Sequence, residues 1–329
     1  MLQKEHNIIL YIRSKKYMHL RWKDAKTTDF VHISDSEFSL LPGFSKEALD
    51  GFIISGIIKT KPFAKDGVLL LRYSVDFNGE IDLSLLRNNR SADFPLGGIM
   101  KEHLMNTGLE QGVPQSEYFE GFLRHRDKYM DAYFIVDGFS GRIHTPISIM
   151  KGEYRKSLLL YNQPTSSLDV ITMQPLILAK VLENEIGKND FSNWINSGED
   201  IYLILKNKAR LVTRDEAKNY FYSLIFGKSD KRLYLIYGHV NWVTWINNYK
   251  TIINKNNPKS NHKPHSNLAW LMQKLEVQIM REVWGELILH NIPFLTVHDE
   301  IIITKKDEDL ARQLFENVLS NYFTYFCLK

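Results

Sequence analysis

Along the chain the spacing of apolar positions changes period several times, and each change predicts an element. A short apolar run, Ile8 to Leu10, follows Lys4, Glu5 and His6, and is too brief and too charged for the apolar stretch of a secretory signal. In the first hundred residues β-rich runs such as Gly67-Val68-Leu69-Leu70-Leu71-Arg72-Tyr73 alternate with turn signals at Asn78-Gly79 and Pro95-Leu96-Gly97-Gly98, predicting short strands and hairpins. From Ser116 to Met130, Tyr118, Phe119, Phe122 and Tyr129 lie beside Arg124, Arg126 and Lys128, predicting a helix with one apolar face and a solvated charged side. Tyr133-Phe134-Ile135-Val136 predicts a strand ending at Asp137-Gly138, and Ser140-Gly141-Arg142 a tight turn that presents an arginine. The polar segment Asn254 to His265, broken by Pro258 and Pro264, predicts an exposed loop.

Mixed periods over 329 residues point to about two domains of an α+β chain, or one domain split by an insertion. With 44% hydrophobic and 24% charged residues, large-scale disorder is excluded. The net charge of +4 permits a phosphate-rich partner without identifying one. The single cysteine, Cys327, excludes an internal disulfide and a cysteine-based zinc site, and points to a reducing, cytoplasmic setting. No run approaches the ~18 apolar residues of a membrane span, so no membrane partner is expected.

Three blocks carry candidate chemistry. In the first, Asp169 precedes a helix marked by Met173, Leu176, Ile177 and Val181; alone, it reads more readily as a turn or cap residue. In the second, Arg214, Lys218, Tyr222 and Phe226 recur every fourth residue, which puts them along one side of a helix. Two cations followed by two rings suit a nucleotide, the cations for its phosphates and a ring face for its base, although an ordinary amphipathic helix has the same pattern. In the third, Phe294 to Val297 and Ile301 to Thr304 flank His298-Asp299-Glu300, predicting a hairpin with two acids at its tip. Adjacent carboxylates ~4 Å apart repel by about 4 kcal/mol at an effective dielectric of 20, a conflict that a bound metal resolves. Asp169 and Asp299 together suit two Mg²⁺ ions, each bound by carboxylate and phosphate oxygens.

In this order and at these intervals the blocks resemble the three motifs of family A, polymerase I-like DNA polymerases, over roughly Ser140 to the C-terminus. The resemblance implies a right-hand polymerase fold without a proofreading domain. Residues 1–115 have no assigned role, 116–132 form a reduced thumb-like helix, 133–183 and 266–329 the palm with its antiparallel sheet, and 184–265 helical fingers. It implies DNA-directed extension of a primer by two-metal-ion catalysis, with primer–template nucleic acid and dNTPs as partners and Mg²⁺, or Mn²⁺ in its place, as cofactor. Asp169 and Asp299 become metal ligands supported by Glu300. Arg214 and Lys218 bind the triphosphate, Tyr222 lies near base and sugar, and Tyr202 stands where the family has a phosphate-binding histidine. Arg142, His298, Phe226 and Gly227 fall on the primer–template side. Tyrosine at the place of Tyr222 accompanies ready use of dideoxynucleotides.

This sequence departs from the family at Gln174, which replaces a glutamate that excludes ribonucleotides, so NTPs remain open as substrates. The glutamine-bearing helix before the third motif is matched only loosely, with Gln273 the nearest candidate. Three other readings remain beside the DNA polymerase. They are a single-subunit RNA polymerase or primase-like enzyme, a non-catalytic nucleic-acid-binding module of the same fold, and a metal-dependent hydrolase.

Overall fold

The structure is a computed structural model that describes residues 3–19, 30–41, 44–65, 68–75, 96–113 and 116–329. The Asn78-Gly79 turn and Pro95 lie outside these residues. The fold is α+β with antiparallel sheets, and the chain groups into two compact units, one of residues 1–105, 110–135 and 144–155, the other of 106–109, 136–143 and 156–329. No helix among the described residues is long and apolar enough to cross a membrane.

In the first unit, α1 (Gln3–His19), β1 (Val31–His32), α2 (Asp35–Phe38), α3 (Lys46–Ile54), β2 (Lys59–Lys65) and β3 (Val68–Ser74) enclose one core. Ile8, Ile12, Phe38, Phe52, Ile58 and Tyr73 fill it. The strands order as β1-β3-β2, so Pro62 sits on an edge strand, where its missing N–H costs no ladder bond. Gly97-Gly98 opens α4 (Gly97–Met105) rather than closing a turn, the Met100 N–H bonding the Leu96 carbonyl at 3.1 Å. α5 (Glu117–Tyr133) is capped by Ser116, runs three residues beyond the predicted helix, and buries Tyr118, Phe119, Phe122, Tyr129 and Tyr133. Tyr133 therefore ends a helix instead of starting a strand. The strand is cut to β5 (Ile135–Val136), which pairs with β6 (Ile143–His144), and α6 (Gly152–Arg155) follows.

The second unit is built on a five-stranded sheet, β4-β7-β8-β10-β9, from β4 (Thr107–Leu109), β7 (Leu158–Leu160), β8 (Gln163–Asp169), β9 (Phe294–Val297) and β10 (Glu300–Thr304). Leu158, Leu160, Leu168, Phe294 and the run Ile301 to Ile303 are buried, the near-continuous apolar pattern of covered strands. After β8 come α7 (Met173–Ile186), α8 (Asp190–Asn196), α9 (Ile201–Ala209), α10 (Arg214–Phe226), α11 (Lys231–Tyr237) and α12 (Asn241–Tyr249). The 24-residue α13 (Ser266–Leu289) leads back to β9, and α14 (Glu308–Ser320) follows β10 and packs on α13.

The segment 254–265 is the largely exposed loop that its composition predicts, pinned at two buried residues, Asn257 and Ser260. Asn257 is buried and donates to Asn267 Oδ1 at 2.8 Å, while Asn267 donates to the Ile252 carbonyl at 2.8 Å. Asn257 thus donates to Asn267 and Asn267 to the loop backbone, so polar residues hold this loop down.

Candidate active site

Asp169 is the last residue of β8 and pairs directly with Glu300, the first of β10. Register is set by which strand faces are buried, and a one-residue slip would turn Leu168 and Ile301 outward, so the apolar neighbours hold the acids in place. His298 and Asp299 form a two-residue turn between β9 and β10, with Glu300 opposite Val297. Asp299 is therefore beside the Asp169–Glu300 pair. His298 has φ +59° there, and Thr172, between Asp169 and α7, has φ +63°. Left-handed backbone at non-glycine residues costs about 1–3 kcal/mol and collects at working sites. Asp169 does not cap α7, whose N-cap is Thr172, without a side-chain cap bond. The turn-or-cap reading of this aspartate fails.

A side-chain cation meets these acids. The chain returns after α14 and adds its last residues alongside β8: Lys329 N–H to the Asp169 carbonyl at 3.1 Å, Asp169 N–H to the Lys329 carbonyl at 3.2 Å, and Ile171 N–H to the Cys327 carbonyl at 2.9 Å. The Lys329 ammonium lies 2.9 Å from Asp169 Oδ2, and that carboxylate raises its proton affinity. Gly198, at φ +79°, makes room for this segment, since a Cβ would meet the Tyr325 ring at 2.8 Å.

Within electrostatic reach of Asp299 stands a buried polar cluster whose acid the sequence reading missed. Glu276 of α13 accepts from Arg142 through Nε at 2.8 Å and Nη2 at 2.6 Å, and also from Gln174 Nε2 of α7. Its side chain is 2% exposed and that of Arg142 18%. A carboxylate only accepts, so the Gln174 amide must turn its nitrogen to Glu276; its Oε1 is buried without a hydrogen-bond partner. Arg142 is aimed by its turn, where the Asp137 carboxylate accepts from the N–H groups of Phe139 at 2.7 Å, Ser140 at 2.6 Å and Arg142 at 3.1 Å. The signal was present in α13: Leu268, Met272, Met280 and Trp284 are buried in four-residue register, and Glu276 occupies the middle of that stripe. The side chain of α13 that accepts from Arg142 and Gln174 is Glu276.

Burial, then the charges of Glu276 and Asp169, push Asp299 far above the usual carboxylate range, to about 8. The carboxylates thus hold more negative charge than Arg142 and Lys329 offset, and a proton or another cation relieves it. Carboxylate oxygens on two adjacent strand ends suit Mg²⁺, which takes one or two protein carboxylates and keeps waters and phosphate oxygens. Among the described residues no group of three or more His, Cys, Asp or Glu side chains forms a fuller ligand set.

The stripe on α10 separates from the core. Ala217, Phe221, Leu224 and Ile225 are buried, whereas Tyr222 and Phe226 are half-buried, stacked at 5.6 Å and 20°, and Lys218 is exposed. Arg214 is held by Asp200 at 2.6 Å, with its guanidinium 5.0 Å from the centre of the Tyr202 ring. Tyr202 is fully buried and turns its hydroxyl to that of Tyr222 at 3.4 Å, so it touches the stripe from behind. Burial raises the Tyr222 hydroxyl's proton affinity, and Asp299 and Glu276 raise it further, which places α10 within electrostatic reach of the acids. At Gly227, the C-cap of α10, a Cβ would run into the Ser223 carbonyl oxygen, so the position favours glycine. Beyond it the buried Lys250 ammonium donates to the Leu224 carbonyl, satisfying an end of the helix.

The structure thus brings Asp169, Asp299, Glu300, Gln174, Arg142 and His298 to one end of the sheet, with Tyr222 close by. Arg214, Lys218, Phe226 and Gly227 share α10 with Tyr222. No protein-family model and no curated protein matches this chain.

Proposed function

We propose that this site performs template-directed nucleotidyl transfer, extending a primer 3′-hydroxyl with dNTPs as a small DNA-directed DNA polymerase. The observation that carries the reading is the β8–β10 register. It sets Asp169 beside the Asp299-Glu300 tip, with Tyr222 of the cation-and-ring helix in their field. In this reading the five-stranded sheet is the palm, α8 to α12 the fingers and α5 a reduced thumb.

Two Mg²⁺ ions, or Mn²⁺, held by Asp169 and Asp299 would supply acidification of the primer hydroxyl and stabilisation of the departing pyrophosphate. Glu300, paired with Asp169, holds that strand end. Arg214 and Lys218 neutralise the triphosphate, Arg214 exchanging Asp200 for a phosphate oxygen. Tyr222, backed by Tyr202 and stacked on Phe226, offers a flat face to base and sugar, a contact of about 1–3 kcal/mol. His298 lies on the primer–template side, and Arg142 would reach the strands only by leaving Glu276.

A second reading, use of NTPs, is favoured by Gln174: its neutral amide is tied to Glu276, so the position carries no charge of its own. The test incubates the protein with labelled primer–template, Mg²⁺ or Mn²⁺, and dNTPs or NTPs in separate reactions. Extension is expected from the native chain and none from Asp299→Asn or Asp169→Asn. Extension that survives either change refutes the ligand assignment; strand binding without extension favours a non-catalytic module, and primer shortening a hydrolase.

A further inference from the structure

The first unit carries a surface that the polymerase reading does not use. In its three-stranded sheet Arg72 pairs with His32 on one side and Lys61 on the other, and in the next row Phe63 pairs with Leu70. Cross-strand partners share a face; beside β1 this one points away from the core, because Val31 and Tyr73 of the alternate set are buried, while farther along the hairpin Leu71 and Leu69 of that set are exposed too, so there the hairpin lies open on both faces. The Arg72 guanidinium lies 4.3 Å from the centre of the Phe63 ring, and the His32 ring stands edge-on to Phe63 at 5.1 Å and 75°. Lys61 is exposed, and β1, β2 and β3 contain no acidic residue.

We propose that the outer face of this sheet, His32, Lys61, Phe63, Leu70 and Arg72, binds single-stranded nucleic acid. Charge complementarity selects the class: a row of cations without an acid repels itself and is relieved by phosphates. The ring cluster selects the form. Phe63 with the planar Arg72 on it is a stacking platform, and only unpaired bases have free faces to lay on it. An acidic peptide would satisfy the cations and leave the rings unused. DNA and RNA strands share this chemistry, and the experiment tells them apart.

The test uses the full chain, without divalent ions or nucleotides, and follows the anisotropy of labelled oligothymidylate and oligouridylate across a salt series. Extension is not the readout, so failure of the polymerase reading leaves this test intact. Replacing Lys61 and Arg72 together by glutamine is expected to weaken binding several-fold. It should also lower the slope of log affinity against log salt by about 0.7 for each phosphate that the variant no longer neutralises. Phe63→Leu is expected to weaken binding about five-fold or more with little change in slope. Circular dichroism checks the fold of each variant; should the double variant fail to fold, Lys61→Gln alone carries the slope measurement, its side chain being exposed. Unchanged affinity and slope overturn the proposal. So does binding of phosphatidylserine vesicles that the same changes abolish while strand binding persists.

Discussion

At the scale of single residues the site is decided by how few charges are left unmatched. Glu276 offers two oxygens to three donors from two other segments, so its loss strands a guanidinium in the interior. Glu276→Ala is therefore expected to destabilise the chain by about 3–5 kcal/mol, measured by denaturant unfolding, with Glu276→Gln costing less. A loss below 1 kcal/mol would mean that solvent reaches Arg142. Asp299 was legible because two adjacent acids between apolar strand runs demand an explanation, and Asp169 only through the resemblance, since alone it reads as a turn or cap residue. Glu276 was legible in principle, as an acid in an apolar four-residue stripe. Lys329 was not, since nothing in a short terminal segment tells which strand it will join.

At the scale of elements, α10 and the terminal segment each hold a part of the site through backbone geometry. The four-residue recurrence from Arg214 to Phe226 marked the helix and its stripe; the contacts with Asp200 and Tyr202 come from α9 and its cap and have no local pattern. Gly227→Ala should shift the helix end and cost about 1–3 kcal/mol, seen as a lower unfolding midpoint. Tyr222→Phe, which removes the hydroxyl facing Tyr202, should increase discrimination against dideoxynucleotides; equal incorporation before and after would take Tyr222 out of the sugar pocket. The terminal segment keeps an ammonium on Asp169, and that ammonium must compete with any divalent ion for the same oxygen. Lys329→Met is accordingly expected to tighten Mn²⁺ binding a few-fold by electron paramagnetic resonance, and weaker binding would show that Lys329 helps instead.

At the scale of the whole molecule, proton binding at the site is linked to stability. Asp299 loses its proton near 3.8 in the unfolded chain and near 8 in the folded one. Between those values the native state binds more protons, so this contribution is fully present below about pH 4 and is lost as pH rises through 8. The thermal midpoint of metal-free protein should fall across that window, and Asp299→Asn should flatten the fall. Saturating Mg²⁺ should flatten it too, by taking the proton's place. An unchanged slope in Asp299→Asn would assign the pH dependence elsewhere. The antiparallel β9–β10 hairpin was readable from local pattern, but the pairing of β8 with β10, segments more than a hundred residues apart, was not, since many registers satisfy the same pattern. The grouping of α5 with the N-terminal residues was likewise hidden, because it rests on packing between segments whose own patterns are complete.

The tie of Arg142 and Gln174 to Glu276 also has an evolutionary consequence. One buried carboxylate is enough for this arginine, and two side chains stand where it can be supplied. A lineage with glutamate at 174 has no need of an acid at 276, and holding both would set two anions beside Asp299. Moving the charge from one helix to the other therefore passes through a chain with either a surplus or a deficit. Among homologues positions 174 and 276 should exchange acid for neutral in opposite directions, and Gln174→Glu should be tolerated far better in a Glu276→Gln background than alone.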